Sequence, residues 1–352
     1  MLISKIQLSN LNNLSCYKNN INVGIIGGGM TSIYTAIILK QLKHINTINI
    51  IDTKDCLSGD VVDASNIDTS AKIKYYKIQD FNEAVSKTNI IALMDNVDSR
   101  ISTNDPKEQF SMISNYIRDI AKKLVMTCPS AIFVVFARPV TSTLPLVSEI
   151  FRRYGQWNPS KVIGSVGIDK MRIEAMAGNL FDLDPAFISI PIVGGADPTT
   201  IVPLITRAQS LNQISREHER QLINQLKTAD IDLEETNGNF NGPSMSSGVS
   251  SAKLISQIAQ ALTGKTNIIN SIYIRSNIMP FCRFFTHEVK LGVHGVENKL
   301  PLPKVSPLAL ELIEQAVLNI NEQCKHVNDY LDNEHIDITD KSCENLTCKL
   351  KE

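Results

Sequence analysis

An apolar stretch, Ile21–Ile26, runs directly into three consecutive glycines, Gly27-Gly28-Gly29, and this junction limits the folds open to the chain more than any other feature. A β-branched run bounded by glycine reads as a buried strand. Residues 30–42 follow with Ile33, Ile37 and Ile38 on one face of a helix. Residues 48–51 form a second apolar run, which ends at Asp52. Strand, glycine turn, helix, strand and terminal acid make a βαβ unit. The turn fits G-x-G-x-x-G with Ser32 in the last place. Gly27 permits the tight turn, Gly29 lets a pyrophosphate approach the backbone, and the small Ser32 lets helix and strand pack closely. Asp52 is placed to accept a hydrogen bond from a ribose hydroxyl, which favours NAD over NADP. A tight βα turn that binds nothing would use the same glycines.

The alternation continues. Residues 72–78, 89–94 and 131–136 read as strands, and Ile113, Ile117, Ile120 and Leu124 mark a long helix between the last two. This pattern predicts a doubly wound parallel sheet. Past about residue 166 the rhythm changes: helices are expected over 169–180, 214–228 and 247–262, with strands over 269–275 and 282–291. Ser306-Pro307 is a helix start, a Ser cap followed by Pro in the first turn. The reading is therefore an α/β Rossmann domain over 21–166 and an α+β domain over 167–330. A flexible leader or targeting segment over 1–20 and a loosely held polar tail over 331–352 flank them.

Bulk properties exclude several classes. Lys+Arg is 35 against Asp+Glu 36, so the basic excess of a nucleic-acid binder is missing. No apolar run reaches the roughly 18–20 residues of a membrane-spanning helix. Seven scattered cysteines do not form a disulfide framework, and Cys324, His326, His335, Cys343 and Cys348 match no zinc template, so no metal is expected. Residues 1–51 contain no Asp or Glu, and an acid-poor, Ser-containing start suits import into the mitochondrial matrix. The absence of Arg from that leader leaves a cytoplasmic chain as the alternative.

From residue 129 to 205 the sequence becomes specific. Pro139-Val140-Thr141-Ser142-Thr143-Leu144-Pro145, Tyr154-Gly155-Gln156-Trp157-Asn158-Pro159, Asp169-Lys170-Met171-Arg172, Pro191-Ile192-Val193-Gly194-Gly195 and Ile201-Val202-Pro203-Leu204-Ile205 occur in order. In content and spacing this resembles the mitochondrial-type, NAD-dependent malate dehydrogenases of the lactate/malate dehydrogenase superfamily, over about residues 21–330. The resemblance implies NAD as cofactor, a dicarboxylate substrate and hydride transfer between malate and oxaloacetate. A histidine takes the hydroxyl proton and an aspartate orients it. Arginines clamp the substrate carboxylates.

Against that pattern, Asp169 matches the orienting aspartate and Arg172 one carboxylate-binding arginine. The histidine that follows the glycine pair is replaced by Ala196. The asparagine before Pro-Val is Arg138. Of two expected loop arginines only Arg100 is present, and the Ala-Gly preceding that loop is Asp95-Asn96. Ser247 matches a family serine near the cofactor, while the next residue, a methionine in the family, is Gly248. Asp197 beside the lost histidine is a substitute base, and Arg138 a substitute clamp. Asp169 and Arg172, three apart on a helix, could equally form a structural pair. The expectation is an impaired or inactive malate dehydrogenase-like protein, a pseudoenzyme by descent. The alternative is a working NAD-dependent dehydrogenase of malate or another 2-hydroxy acid with a rearranged site. The resemblance through Val61-Val62-Asp63-Ala64-Ser65-Asn66-Ile67-Asp68 covers an interface helix, implying a homodimer or a heterodimer with an active relative.

Overall fold

Three β-branched runs pair side by side to start the sheet. β1 (Ile21–Ile26) lies parallel to β2 (Ile45–Asp52) in the register Val23 to Ile48 and Ile26 to Ile51. β2 in turn pairs with β3 (Lys72–Lys77). The computed structural model describes residues 21–96, 105–211, 213–237 and 243–333. Across the other edge of β1 come β4 (Ile90–Leu93), β5 (Ile132–Val135) and β6 (Val162–Ser165), all parallel. The order β3-β2-β1-β4-β5-β6 is that of a doubly wound dinucleotide-binding sheet. Every residue of β4, β5 and β6 is buried, as strands covered by helices on both faces must be.

The crossover helices follow from capping and apolar spacing. In α1 (Met30–Lys40), Ile33, Ala36 and Leu39 are buried. α2 (Ser58–Ser65) and the short α3 (Phe81–Val85) precede β3 and β4. α4 (Pro106–Thr127) starts where the Asp105 carboxylate accepts from the Lys107 N–H at 3.0 Å and Pro106 supplies the first helical φ. It buries Phe110, Ile113, Ile117, Ile120 and Leu124 on one stripe. α5 (Val140–Arg153) begins just after a cis Arg138–Pro139 bond.

The second half extends the same sheet. α6 (Gly167–Phe181) follows β6 directly, and the hairpin of β7 (Ile192–Gly194) and β8 (Ile201–Pro203) comes next. α7 (Arg216–Asn237) and α8 (Ser244–Leu262) lead to β9 (Ile268–Arg275), β10 (Phe284–Gly292) and β11 (Gly295–Lys299). β9 pairs antiparallel with β6, so the strand order runs on through β9-β10-β7-β8, with β11 on β10. α9 (Pro307–Asn333) is capped by Ser306, whose Oγ accepts from the Ala309 N–H at 3.1 Å. Two expectations shift. α7 runs nine residues past 228, and α9 enters the segment expected to be loose tail because Leu331, 1 % exposed, packs into the core. Residues 1–20 and 334–352, on which the leader and the rest of the tail fall, lie outside the described residues.

Candidate functional site

The strand order reverses direction between β1 and β4, and the carboxyl ends of the strands at that switch point are the crevice position at which open α/β sheets take their ligands. The glycine turn forms one wall. Gly27, Gly28 and Gly29 have φ of 75°, 87° and 50°, a region that side-chain-bearing residues enter only at a cost. A Cβ at Gly27 would lie 2.6 Å from the Tyr116 hydroxyl, and one at Gly28 would lie 2.8 Å from the Met94 Cβ. Ser32 is fully buried and its hydroxyl donates to the Gly29 carbonyl at 2.7 Å, the close helix–strand packing its small size predicts.

The crevice has features that suit an anionic ligand and one that opposes it. The Tyr116 hydroxyl is buried above Gly27 with no hydrogen-bond partner, and burial pushes its pKa well up, so it is a donor. The start of α1 lies in the same region, its Thr31 and Ser32 N–H groups bonded to the Gly28 and Gly29 carbonyls at 2.9 and 3.0 Å and its positive dipole end directed at the turn. Asp95, at the end of β4, is the opposing feature. Its carbonyl accepts from the Gly28 N–H at 2.8 Å and its Oδ1 from the Arg138 N–H at 2.6 Å. Burial raises the Asp95 pKa, and Arg138 acts against that rise.

Asp52 stands at the end of β2 as the sequence implies, but its carboxylate is turned into its own loop. Oδ1 accepts from the Lys54 N–H at 2.9 Å, and Oδ2 from the N–H groups of Cys56 and Leu57 at 2.7 and 2.9 Å. It is 2 % exposed. The acid folds the 52–57 loop, and its reach to a ribose hydroxyl is correspondingly taken up. Pyrophosphate binding therefore fits this turn, whereas the expected ribose contact does not fit the Asp52 carboxylate as it stands. Ser247 sits in the first turn of α8. The next residue, Gly248, lets α8 lie against α1: a Cβ there would be 2.6 Å from the Tyr34 Cβ, and the Thr35 hydroxyl donates to the Gly248 carbonyl at 3.3 Å. Ser247 is thereby held beside the start of α1 and the glycine turn.

At the other end of the crevice the chain gathers Arg138, Asp169, Arg172, Ala196 and Asp197. Ala196 follows the tight β7 turn and is 4 % exposed, its N–H donating to the Thr141 hydroxyl at 2.9 Å. Gly194 and Gly195 before it are dictated by packing, since a Cβ at either would overlap Thr200. Asp197, the expected substitute base, is committed to structure. Its Oδ1 accepts from the N–H and hydroxyl of Thr199 at 3.0 and 2.6 Å, and its Oδ2 from the Gln323 amide at 3.0 Å. Gln323 is itself held by the Ser142 hydroxyl at 2.8 Å. With those bonds and 5 % exposure, Asp197 is a turn cap and not a base reaching into the crevice.

Arg172 and Asp169, three apart on α6, approach only to 3.6 Å, which is an ion pair without a hydrogen bond. The closer partner of Arg172 is Asp230 of α7, an acid that inspection of the sequence missed. Arg172 Nη2 donates to Asp230 Oδ1 at 2.6 Å, and Arg138 Nη1 donates to Oδ2 at 2.9 Å. One internal carboxylate thus bridges the two arginines. Burial alone would raise the Asp230 pKa, but Arg138 and Arg172 hold it below the ordinary carboxylate value. The signal was present in the sequence: Leu222, Leu226 and Asp230 are spaced by four, and both leucines are in the core, so the acid falls on the buried stripe of its helix. Arg172 Nη1 is buried without a hydrogen-bond partner. Burial raises the Asp169 pKa to about 6, and Asp230 and Asp197 add to the rise while Arg172 and Arg138 oppose it. Arg100 falls in 97–104, outside the described residues. Neither conspicuous histidine enters the crevice, for His287 is buried with Nε2 on Ser276 Oγ at 3.0 Å and His294 is exposed.

A glycine turn at the sheet's switch point, with an Asp-x-x-Arg helix and a double-glycine turn at the far end of the site, defines a Rossmann-type dinucleotide-binding scaffold. Residues 21–164 match the family model of the lactate/malate dehydrogenase NAD-binding domain, and residues 167–330 match that of the lactate/malate dehydrogenase alpha/beta C-terminal domain. The chain belongs to the lactate/malate dehydrogenase family. It is 26 % identical to the malate dehydrogenase of Pseudoalteromonas atlantica over 286 residues, covering 81 % of this chain and 91 % of that protein. It is 24 % identical to the mitochondrial malate dehydrogenase of Bos taurus over 320 residues, 90 % of this chain and 93 % of that one. Among solved structures, the apo malate dehydrogenase of Picrophilus torridus superposes with a TM-score of 0.75 at 16 % identity, covering 89 % of this chain and 99 % of that one. The lactate dehydrogenase of Eimeria maxima with NADH and oxamate gives 0.74 at 15 % identity, covering 90 % and 98 %.

Proposed function

We propose that this chain is an NAD(H)-binding member of the family that does not interconvert malate and oxaloacetate by the family's imidazole route. The observation that carries the reading is Ala196, buried where the proton acceptor belongs, with Asp197 beside it capped by Thr199 and Gln323. Loss of a general base costs about 10²–10⁴ in rate. When NAD is bound it supplies the hydride acceptor. Gly27 and Gly29 with the start of α1 would hold its pyrophosphate, and Ser247 would lie alongside. The chain then acts through binding, as a sensing or structural subunit.

A second reading rests on Asp169. A buried carboxyl titrating near 6 beside Arg172 is a competent proton acceptor at neutral pH, and a dehydrogenase of malate or another 2-hydroxy acid could use it directly. NADH fluorescence titration and a malate/oxaloacetate assay on the same preparation separate the two readings. Binding without turnover is the expected result. Turnover abolished by Asp169→Asn would establish the second reading and overturn the first.

Assembly and location belong to the same proposal. α2 exposes Val62 at 65 %, consistent with a homodimer, or a heterodimer with an active relative, formed through that helix. A monomer by light scattering at micromolar concentration would overturn this. The mitochondrial relatives favour the mitochondrial matrix, with a cytoplasmic location as the alternative. Fractionation of cells expressing the full chain with a C-terminal tag tests it.

A further inference from the structure

We propose that Asp230 is a tethered carboxylate that occupies the place of a substrate carboxylate between Arg138 and Arg172, closing the pocket to free carboxylic acids. The inference rests on reading this end of the crevice as the family's substrate pocket, and it concerns binding rather than the chemical step.

The geometry is that of a bound ligand. Arg138 follows β5 and Arg172 lies on α6, two elements far apart in sequence, yet each donates to a different oxygen of one carboxylate, at 2.9 and 2.6 Å. Short charge-assisted bonds to both oxygens are how arginines hold a free carboxylate. The acid reaches them because it continues the stripe Leu222-Leu226 that seats α7 in the core. A solvent-facing acid on the same helix could not do so.

The charge balance points the same way. Two cations, Arg138 and Arg172, face three carboxylates, those of Asp95, Asp169 and Asp230. An incoming acid therefore meets a site already in carboxylate excess and must displace a carboxylate fixed to the same scaffold; removing Asp230 lifts that excess. A tethered competitor acts at an effective concentration of roughly millimolar or above. The apparent affinity of a free acid falls by the fraction of time the tethered one is away. Without Asp230, two arginines face Asp95 and Asp169, with a carboxylate-sized place between their donors and, beside it, the Nη1 of Arg172, which makes no hydrogen bond.

The test is a thermal-shift and calorimetric titration of the full chain with malonate, with acetate as a monocarboxylate and chloride at matched ionic strength. Wild type, Asp230→Ala and Asp230→Asn are compared. Asp230→Ala is expected to bind malonate saturably, at least about tenfold more tightly than wild type, with a rise in Tm that chloride does not give. Asp230→Asn, neutral but still shape-filling, is expected to lie between them. If Asp230→Ala is soluble only with a carboxylate in the buffer, that dependence is the same result in another form. Equal malonate binding by wild type and both variants overturns the proposal, and so does a folded Asp230→Ala protein that binds no carboxylate. Turnover by the wild type would refute both the silent-site reading and the closed pocket; without turnover, the malonate comparison alone decides the role of Asp230, and its failure leaves the silent-site reading standing.

Discussion

Asp169→Asn should make the protein more stable at neutral pH. The Asp169 side chain is 7 % exposed, and burial raises its pKa from 3.8 to about 6. A carboxyl whose folded pKa exceeds its unfolded value favours folding below the unfolded pKa. That contribution is lost as pH rises through the folded pKa. A shift of about two units is worth about 3 kcal/mol of penalty above pH 6, each unit being about 1.4 kcal/mol. Asparagine keeps the shape of the protonated acid and carries no charge. The variant should thus exceed wild type by up to about 3 kcal/mol at pH 8, with the advantage shrinking between pH 6 and 4 and vanishing below. Asp230 works in the opposite sense. Its lowered pKa gives stability present above its unfolded value and lost only as pH falls further, outside this window. Urea denaturation at pH 8, 6 and 4 reads the difference. A variant less stable than wild type at pH 8, or an advantage independent of pH, would refute the assignment of Asp169 as a buried, strained carboxylate.

Three further outcomes follow from particular contacts. Asp52→Ala removes the acceptor for three backbone N–H groups and should cost about 2–4 kcal/mol in urea denaturation, loosening the 52–57 loop to proteolysis; an unchanged midpoint would mean those bonds are not made. Gly248→Met restores the family's residue but drives a side chain into Tyr34 and the Thr31 carbonyl, so α1 and α8 must part at a cost of about 1–3 kcal/mol or more, seen as a lower Tm; a neutral change would contradict the close approach. Ala196→His alone should give no malate-dependent NADH formation, because Asp230 still bridges Arg138 and Arg172. Turnover by that single variant would show the arginines to be available to substrate.

How much of this was legible in the sequence depends on what each feature rests on. The parallel sheet was readable because buried strands such as Ile21–Ile26 are written in β-branched residues next to glycine, a local signal. The positive φ of Gly27 to Gly29 and the burial of Ser32 were implied by the same turn. Asp52 was rightly placed at a strand end, but which way its carboxylate points depends on the N–H groups of Lys54, Cys56 and Leu57, set by the loop's path. Asp197 likewise looked like a free acid until Gln323, 126 residues away, proved to hold it. Ala196 drew notice only through the family resemblance, because an alanine carries no chemical signal of its own. Asp230 was hidden for a different reason. Its helix was expected to stop at 228, so the spacing Leu222, Leu226, Asp230 was not carried into the further turn that the structure shows. The Asp169–Arg172 pair was anticipated as a structural contact, yet at 3.6 Å it is the weaker of the two contacts Arg172 makes, and the shorter one comes from another helix.

The most direct test of the central claim is the rate of oxaloacetate-dependent NADH oxidation by the purified full chain, measured against a bovine mitochondrial malate dehydrogenase standard. With Ala196 in place of the proton donor and Asp230 between the arginines, the account predicts a rate indistinguishable from the enzyme-free blank while NADH still binds. A saturable rate well above that blank would contradict it and make Asp169 the first residue to examine as the acid and base of a rearranged site.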